Sequence, residues 1–158
     1  MRMLRILAAC LLPCAMLSSL PAAATEFSGL AQVRDDGTLR LRGRTVHLWG
    51  IRIPPTRRDC RSFERPPTCA PRAVLALDFK VDGFVRCEEK FRNADRSVTA
   101  RCVVDYSAFD EGDDLAAYLL NRGWAVALPE APDDYRLREK VARANGLGIW
   151  GLPLVLEP

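Results

Sequence analysis

The alternation of apolar and polar residues between positions 25 and 151 predicts a small domain of strands and helices. Short segments rich in apolar and β-branched residues and bounded by turn residues predict five strands: 27–33, 38–42, 46–53, 84–91 and 98–104. Segments with apolar residues at helical spacing predict three helices: 71–82, 113–122 and 133–145. Residues 54–69 contain four prolines and several charges, so we expect an irregular loop there.

Turn and helix-end residues divide these segments clearly. Asp35-Asp36-Gly37 predicts a tight turn between the first two strands. Pro71 suits the first turn of a helix, and Gly123 is a good stop after one. The side chains predicted to face the core are Ala73, Val74 and Leu77 in the first helix and Leu137, Val141 and Ala144 in the third.

The order of the predicted elements favours one architecture. Three strands, a helix, two strands and two further helices follow one another along the chain. A five-stranded barrel with a helix between its third and fourth strands is the oligonucleotide/oligosaccharide-binding (OB) fold. We therefore predict an α+β domain, built as a five-stranded OB-fold β-barrel with three helices.

The first 24 residues have the pattern of an export signal. Arg2 and Arg5 precede an apolar run over 6–20, and Pro21-Ala22-Ala23-Ala24 supplies the small residues of a cleavage site. The alternatives are an uncleaved anchor and lipidation at Cys10. We expect a signal peptide at 1–24, one domain at 25–151, a short apolar tail at 152–158, and an exported protein, periplasmic or secreted, that is free of the membrane after cleavage.

Charge limits the kind of partner. The full chain carries a net charge of +3, and loss of 1–24 removes two arginines and no acid, which leaves +1. A nearly neutral domain argues against broad electrostatic binding of nucleic acid. Any anion site must therefore be local.

The remaining cysteines favour disulfides. Cys60, Cys69, Cys87 and Cys102 stay after signal cleavage, and an even number in an exported chain is typical of bridges. The alternative is a four-cysteine metal site, but no Cys-x-x-Cys spacing is present. Four cysteines allow three pairings.

Five segments resemble the staphylococcal nuclease-like (thermonuclease) family. Residues 33–39 are similar to its V-x-D-G-D-T-[ILV] hairpin, and residues 46–55 to its V-R-L-x-G-I-D-x-P-E strand end. Residues 93–102 are similar to D-[KR]-Y-G-R-x-x-A-x-C. Two later segments are similar to its D-L … G-x-A helix end and its Y-x-x-x-E-x-x-A-R … G-L-W ending: 114–125 and 135–150.

The resemblance implies the same barrel and a nuclease ancestry. The family hydrolyses DNA or RNA with Ca²⁺, using two aspartates on the metal, a glutamate on the attacking water and two arginines on the phosphate. In this chain the second aspartate falls on Gly37, the first arginine on His47, the metal-binding aspartate of the strand on Arg52 and the glutamate on Pro55. Arg96 is taken as the counterpart of the second arginine and as the one retained position.

These replacements predict a domain with impaired or absent catalysis and no calcium cofactor. Asp35 and Asp36 are weak metal candidates and better turn formers. His47, Arg52 and Arg96 are the candidates for phosphate binding, with His47 and Arg96 as weak catalytic candidates. The expected partner is a nucleic acid, another phosphate-bearing ligand or a protein. The alternative is a working phosphodiesterase with a rearranged site.

Two disulfides follow from the predicted elements. A Cys60–Cys69 bridge would close the proline-rich loop before the first helix. A Cys87–Cys102 bridge would join two adjacent strands across their hairpin, where side chains come close. Trp49 is predicted to belong to the core, and stacking on a base is its alternative role.

Overall fold

The computed structural model describes the backbone of residues 25–56, 58–61 and 68–151, and the side chains of 25–56 and 71–151. The predicted signal segment and tail lie outside the described residues. In chain order the elements are β1 (Glu26–Val33), β2 (Leu39–Leu41), β3 (Arg44–Leu48), β4 (Ile51–Arg52), β5 (Arg58–Arg61), β6 (Thr68–Pro71), α1 (Arg72–Lys80), β7 (Phe84–Arg92), β8 (Val98–Val104), β9 (Asp113–Asp114), α2 (Leu115–Asn121), β10 (Val126–Ala127) and α3 (Asp133–Ala144), followed by a 3₁₀ turn, Gly148–Trp150.

Five of these strands close into a barrel. β1 pairs antiparallel with β2 and β7, β2 pairs with β3, and β7 pairs with β8. The parallel pairing of β3 with β8, in which His47 lies opposite Thr99, closes the ring. The predicted α+β fold, a five-stranded OB-fold barrel with three helices, is confirmed.

The barrel interior and the side facing α2 form one core. Inward positions alternate along each strand, as the period of two requires. The largest fully buried side chains are Leu39, Leu41, Val46, Leu77, Val85, Val98, Val104, Leu115, Leu119 and Leu120. Ala73, Val74 and Leu77 of α1 are buried as predicted.

The predicted third strand is interrupted. Residues 46–53 do not form one strand, because Trp49 and Gly50 make a turn between β3 and β4. Gly50 has φ 75°, and a Cβ atom there would lie 3.2 Å from the Tyr135 ring. β4 then leaves the barrel and pairs with β10, which places Arg52 opposite Val126.

The segment between β4 and α1 is more regular than predicted. The predicted irregular loop 54–69 is wrong in part, because β5 and β6 form a hairpin whose register pairs Cys60 with Cys69. Pro54 and Pro55 precede β5, so they do not oppose this pairing. The side chains of both cysteines lie outside the described residues, and their bridge stays a prediction.

The second predicted disulfide is confirmed. Cys87 and Cys102 are opposite partners in β7 and β8, with an S–S distance of 2.04 Å and a Cα–Cα distance of 4.1 Å. Both residues are fully buried. A bridge of this loop length contributes about 3 kcal/mol to stability.

The predicted core face of α3 is wrong. Leu137 and Val141 are 62% and 52% exposed, and Ala144 is also exposed, whereas Tyr135 and Ala142 are buried. Polar anchors set the rotation of the helix: the Tyr135 hydroxyl donates to Asp114, and Glu139 accepts from the backbone N–H of Ala127. Among the helices that the structure describes, none is long and apolar enough to span a bilayer.

Candidate functional site

Two adjoining clefts open where β3 ends. The first, the cationic cleft, has a volume of about 240 Å³ and is lined by the Asp36–Thr38 turn, His47, Arg52 and Ile53. The second, the aromatic pocket, has a volume of about 550 Å³ and is lined by Trp49, Phe91, Asn93, Asp95 and Glu130, among others. His47, Leu48 and Ile51 line both, so one face of the barrel carries a continuous depression.

The Asp36–Thr38 turn fixes one wall of the cationic cleft. Asp36 Oδ1 accepts hydrogen bonds from the Thr38 backbone N–H at 2.9 Å and from its hydroxyl at 2.7 Å. Partial burial pushes the pKa of Asp36 up, but these hydrogen bonds and the charge of Arg34 push it down further, so the pKa lies below its ordinary value. Asp36 is therefore an ionised turn former, as expected.

A side chain at position 37 would be strained. Gly37 is buried and has φ 79°, and a Cβ atom there would lie 2.5 Å from Cδ1 of Ile53. An aspartate at this position would require the Ile53 side chain to move and would adopt a backbone conformation that side chains rarely take. Both effects favour the glycine that the sequence has here.

The residues of this cleft do not fit a calcium ion. Calcium takes six to eight oxygen ligands, mostly from carboxylates and carbonyls. Here Gly37 and Arg52 stand at the two acidic positions of the resembled family, and Asp35 already has another interaction. In the part of the chain with described side chains, no three His, Cys, Asp or Glu residues group closely enough to hold a metal.

Arg52 and His47 are the exposed cationic groups of the cleft. Arg52 projects from β4, and its guanidinium makes no ion pair with a described residue. His47 projects from β3 and lies close enough to Asp95 for its charge to help lower the pKa of that carboxyl, after the larger effect of hydrogen bonds from Ser97. The structure thus brings Arg52 and His47 to one depression.

Arg96 does not join them. It lies in the turn between β7 and β8 with φ 68°, a conformation that favours glycine, and it lines neither cleft. When the resembled motif is counted from Ala100 and Cys102, its glycine falls on Arg96 and its arginine on Ser97. The interpretation of Arg96 as the retained arginine is therefore off by one residue, and buried Ser97 holds that position.

The aromatic pocket joins Trp49 to Phe91, a residue that the sequence pattern did not single out. Phe91 is 51% exposed, although it lies in a strand. Trp49 is half-buried, with the Lys90 ammonium 5.1 Å from its ring centroid and Tyr135 tilted against it. The alternation of apolar and polar positions could have identified Phe91, because it places this aromatic side chain on the outer face of a barrel strand, where a ring can stack on a base.

The chain matches no model of a known protein family and no curated protein at a significant level of similarity. The site must therefore be interpreted from its own geometry.

Proposed function

We propose that this domain is a thermonuclease-like module that binds a phosphate-bearing ligand without calcium and has little or no nuclease activity. The observation that carries the proposal is the pair of changes in one cleft. Ile53 fills the space beside Gly37, and Arg52 supplies a guanidinium where the resembled family has a metal ligand. Together they put the single positive charge of Arg52 where the resembled family holds a calcium ion.

The chemistry of the cleft suits an anion of phosphate size. An arginine presents two parallel N–H donors to one phosphate, and a histidine adds a donor and, when protonated, a second charge. Arg52 and His47 line the same 240 Å³ space, and Asp36 is turned toward Thr38 by its hydrogen bonds. The carboxylate on this wall therefore does not ion-pair with Arg52.

The adjoining aromatic pocket supports a nucleotide or an oligonucleotide end as the ligand class. Trp49 and Phe91 offer ring surface next to His47, and base stacking on such rings does not depend on sequence. We further propose that the protein acts after export, in the periplasm or outside the cell. The buried Cys87–Cys102 bridge supports an oxidising compartment.

Titration of the signal-free protein with inorganic phosphate and with a 5′-phosphorylated tetrathymidylate, in the presence of a chelator, tests the proposal. Arg52→Asp should weaken binding at least tenfold, about 1.4 kcal/mol, while Arg40→Asp on the outer face of β2 should not. Binding should also weaken as salt increases. Equal affinity in the parent and Arg52→Asp would show that the cleft is vestigial.

The second candidate is a phosphodiesterase with a rearranged site. The observation that favours it is that His47 and Asp95 line the same pocket, where the charge of His47 helps to lower the pKa of Asp95, so a general base and an acid face one space. A nuclease assay with and without Ca²⁺ separates the two candidates. Cleavage of single-stranded DNA that is lost in His47→Gln would support this candidate, and Ca²⁺-dependent cleavage would overturn the proposed metal-free binding role.

A further inference from the structure

A third cleft lies away from the cationic cleft and is the largest of the three. The α2–α3 cleft has a volume of about 580 Å³, within the range of small-molecule pockets. It is formed by the ends of β8 and β9, by α2 and by the first turns of α3. Trp49 is the one residue that it shares with the aromatic pocket.

The floor of the α2–α3 cleft is a closed hydrogen-bond network around Asp114. Its Oδ1 accepts from the backbone N–H groups of Ala116 and Ala117, and its Oδ2 accepts from Arg101 Nε at 2.8 Å and from the Tyr135 hydroxyl at 2.7 Å. Burial, together with the charge of Asp114, raises the pKa of Tyr135, so the phenol keeps its proton. Asp114 is thus fully bonded and neutralised by Arg101.

Two guanidinium groups on the wall remain available. The Arg122 guanidinium lies 3.9 Å from the Tyr118 ring centroid, and no carboxylate of the described residues lies within ion-pair distance of it. A stacked arginine keeps the N–H groups of its edge free for a ligand. Arg122 is therefore held in place by its ring contact and carries an uncompensated charge.

Arg138 is only loosely partnered. Its Nη1 donates to Asn121 Oδ1 at 3.3 Å, its Nε makes no hydrogen bond, and the nearest carboxylate oxygen, on Asp134, is 3.6 Å away. That distance allows attraction but no hydrogen bond. Since Asn121 precedes Arg122 in the chain, both guanidinium groups stand at the end of α2.

The acids of the cleft contact other cations. Asp114 is paired with Arg101, and Asp113 shares Lys80 of α1 with Asp105. Asp134 faces Arg138, and no carboxylate of the described residues lies within ion-pair distance of Arg122. An anion entering the cleft therefore meets one free guanidinium, one half-free guanidinium and no unpaired carboxylate next to Arg122.

We propose that the α2–α3 cleft binds a small planar organic anion. The oxyanion, a carboxylate or a phosphate, lies between Arg122 and Arg138, and the apolar body lies against Trp49 and Pro132, which also line the space. This site goes beyond the proposed function and does not depend on it, because it uses neither Arg52 nor His47.

Isothermal titration calorimetry of the signal-free protein with benzoate and with phenyl phosphate tests the site. We expect saturable one-site binding of at least one probe, weakened at least tenfold in both Arg122→Gln and Arg138→Gln. Lys140→Gln, an exposed charge on α3 outside the cleft, is the matched control and should bind as the parent does. Arg52→Asp should also leave this binding unchanged.

Three outcomes would overturn the inference. The first is absence of saturation by either probe at concentrations on the order of 10 mM. The second is unchanged binding in Arg122→Gln and Arg138→Gln that melt at the parent's temperature. The third is loss of binding in Arg52→Asp alone, which would assign the anion to the cationic cleft. A failed phosphate titration at the cationic cleft would leave the benzoate result unaffected, so the two proposals fail separately.

Discussion

The β1–β2 turn and the β7–β8 turn are built by the same hydrogen bonds, and the comparison turns on their fourth residue. In each, the first residue donates its N–H to the fifth and accepts one from the fourth: Arg34 with Thr38 and Gly37, and Asn93 with Ser97 and Arg96. In each, an aspartate oxygen accepts both the N–H and the hydroxyl of the residue two positions later. The left-handed fourth residue is Gly37 in one turn and Arg96 in the other.

The two turns differ in what packs against their fourth residue. Ile53 packs against Gly37, so the β1–β2 turn is coupled to β4 and to the cleft that carries Arg52. The β7–β8 turn carries a long side chain at the equivalent position. A turn with a side chain packed against it accepts few residues at the contact position. A turn open to solvent can hold a residue whose backbone conformation is unfavourable. The glycine at position 37 is therefore favoured both by its backbone conformation and by its contact with Ile53.

The largest expected effect comes from placing an acid at position 37. Gly37→Asp should destabilise the domain by roughly 3 kcal/mol, because it adds a side chain against Ile53 and places a non-glycine residue at φ 79°. Millimolar Ca²⁺ should not raise the melting temperature of this variant. Urea unfolding measures the first effect and thermal melting the second.

The matched control for Gly37→Asp is the double variant with Ile53→Ala, which opens space behind the turn and should recover part of the lost stability. A Gly37→Asp single variant that is as stable as the parent and is stabilised by Ca²⁺ would show that the packing does not exclude the metal.

A smaller effect is expected from removing the aspartate of the packed turn. Asp36→Ala deletes two hydrogen bonds donated by Thr38, which is buried, and should lower the free energy of unfolding by roughly 1–2 kcal/mol. Asp95→Ala should cost about as much, because Asp95 accepts the same two hydrogen bonds from Ser97, which is as buried as Thr38. Chemical denaturation of both variants tests this, and a loss in one variant without a loss in the other would contradict the equivalence of the two turns.

The same two aspartates predict an acid dependence. Hydrogen bonds lower the pKa of both below 3.8 in the folded state. A lowered pKa stabilises the fold above the unfolded value, and this contribution is lost as the pH falls through the folded pKa. Stability measured from pH 5 downward should therefore fall less steeply in Asp36→Asn with Asp95→Asn than in the parent. Parallel curves for the two proteins would contradict this.

The smallest effect is expected at the open turn and has the opposite sign. Arg96→Gly should stabilise the domain by roughly 0.5–1 kcal/mol, because glycine adopts φ 68° without steric strain, although its unfolded state is freer. Arg92→Gly, four residues earlier within β7, should destabilise and is the control. Destabilisation by Arg96→Gly would mean that the arginine side chain makes a contact that matters.

The barrel strands were predictable because burial on one face repeats every second residue. Predicted strand 98–104 agrees with β8 at both ends, and 84–91 agrees with β7 to within one residue. The face of α3 was not predictable in this way. Its rotation depends on the Tyr135–Asp114 bond, a contact between residues far apart in the chain that no hydrophobic pattern encodes.

The residues of the candidate site also differ in whether local sequence or long-range contacts determine them. The changes at Gly37 and Arg52 can be read from single positions, and both lie in the cleft. The assignment of Arg96 could have been corrected from the sequence itself, because counting back from Ala100 and Cys102 places the arginine of the resembled motif on Ser97. The α2–α3 cleft draws its lining from several separate segments, so nothing in the local sequence marks it.

Burial of the Cys87–Cys102 bridge has a consequence for the order of events in biogenesis. Cys87 is fully inaccessible to solvent and Cys102 almost so. Thiol–disulfide exchange requires a thiolate to reach a sulfur atom, so oxidases and reductants have no access once the barrel has closed. The bridge must therefore form while β7 and β8 are still open to the compartment, and a barrel that closes with free thiols stays reduced until it unfolds again.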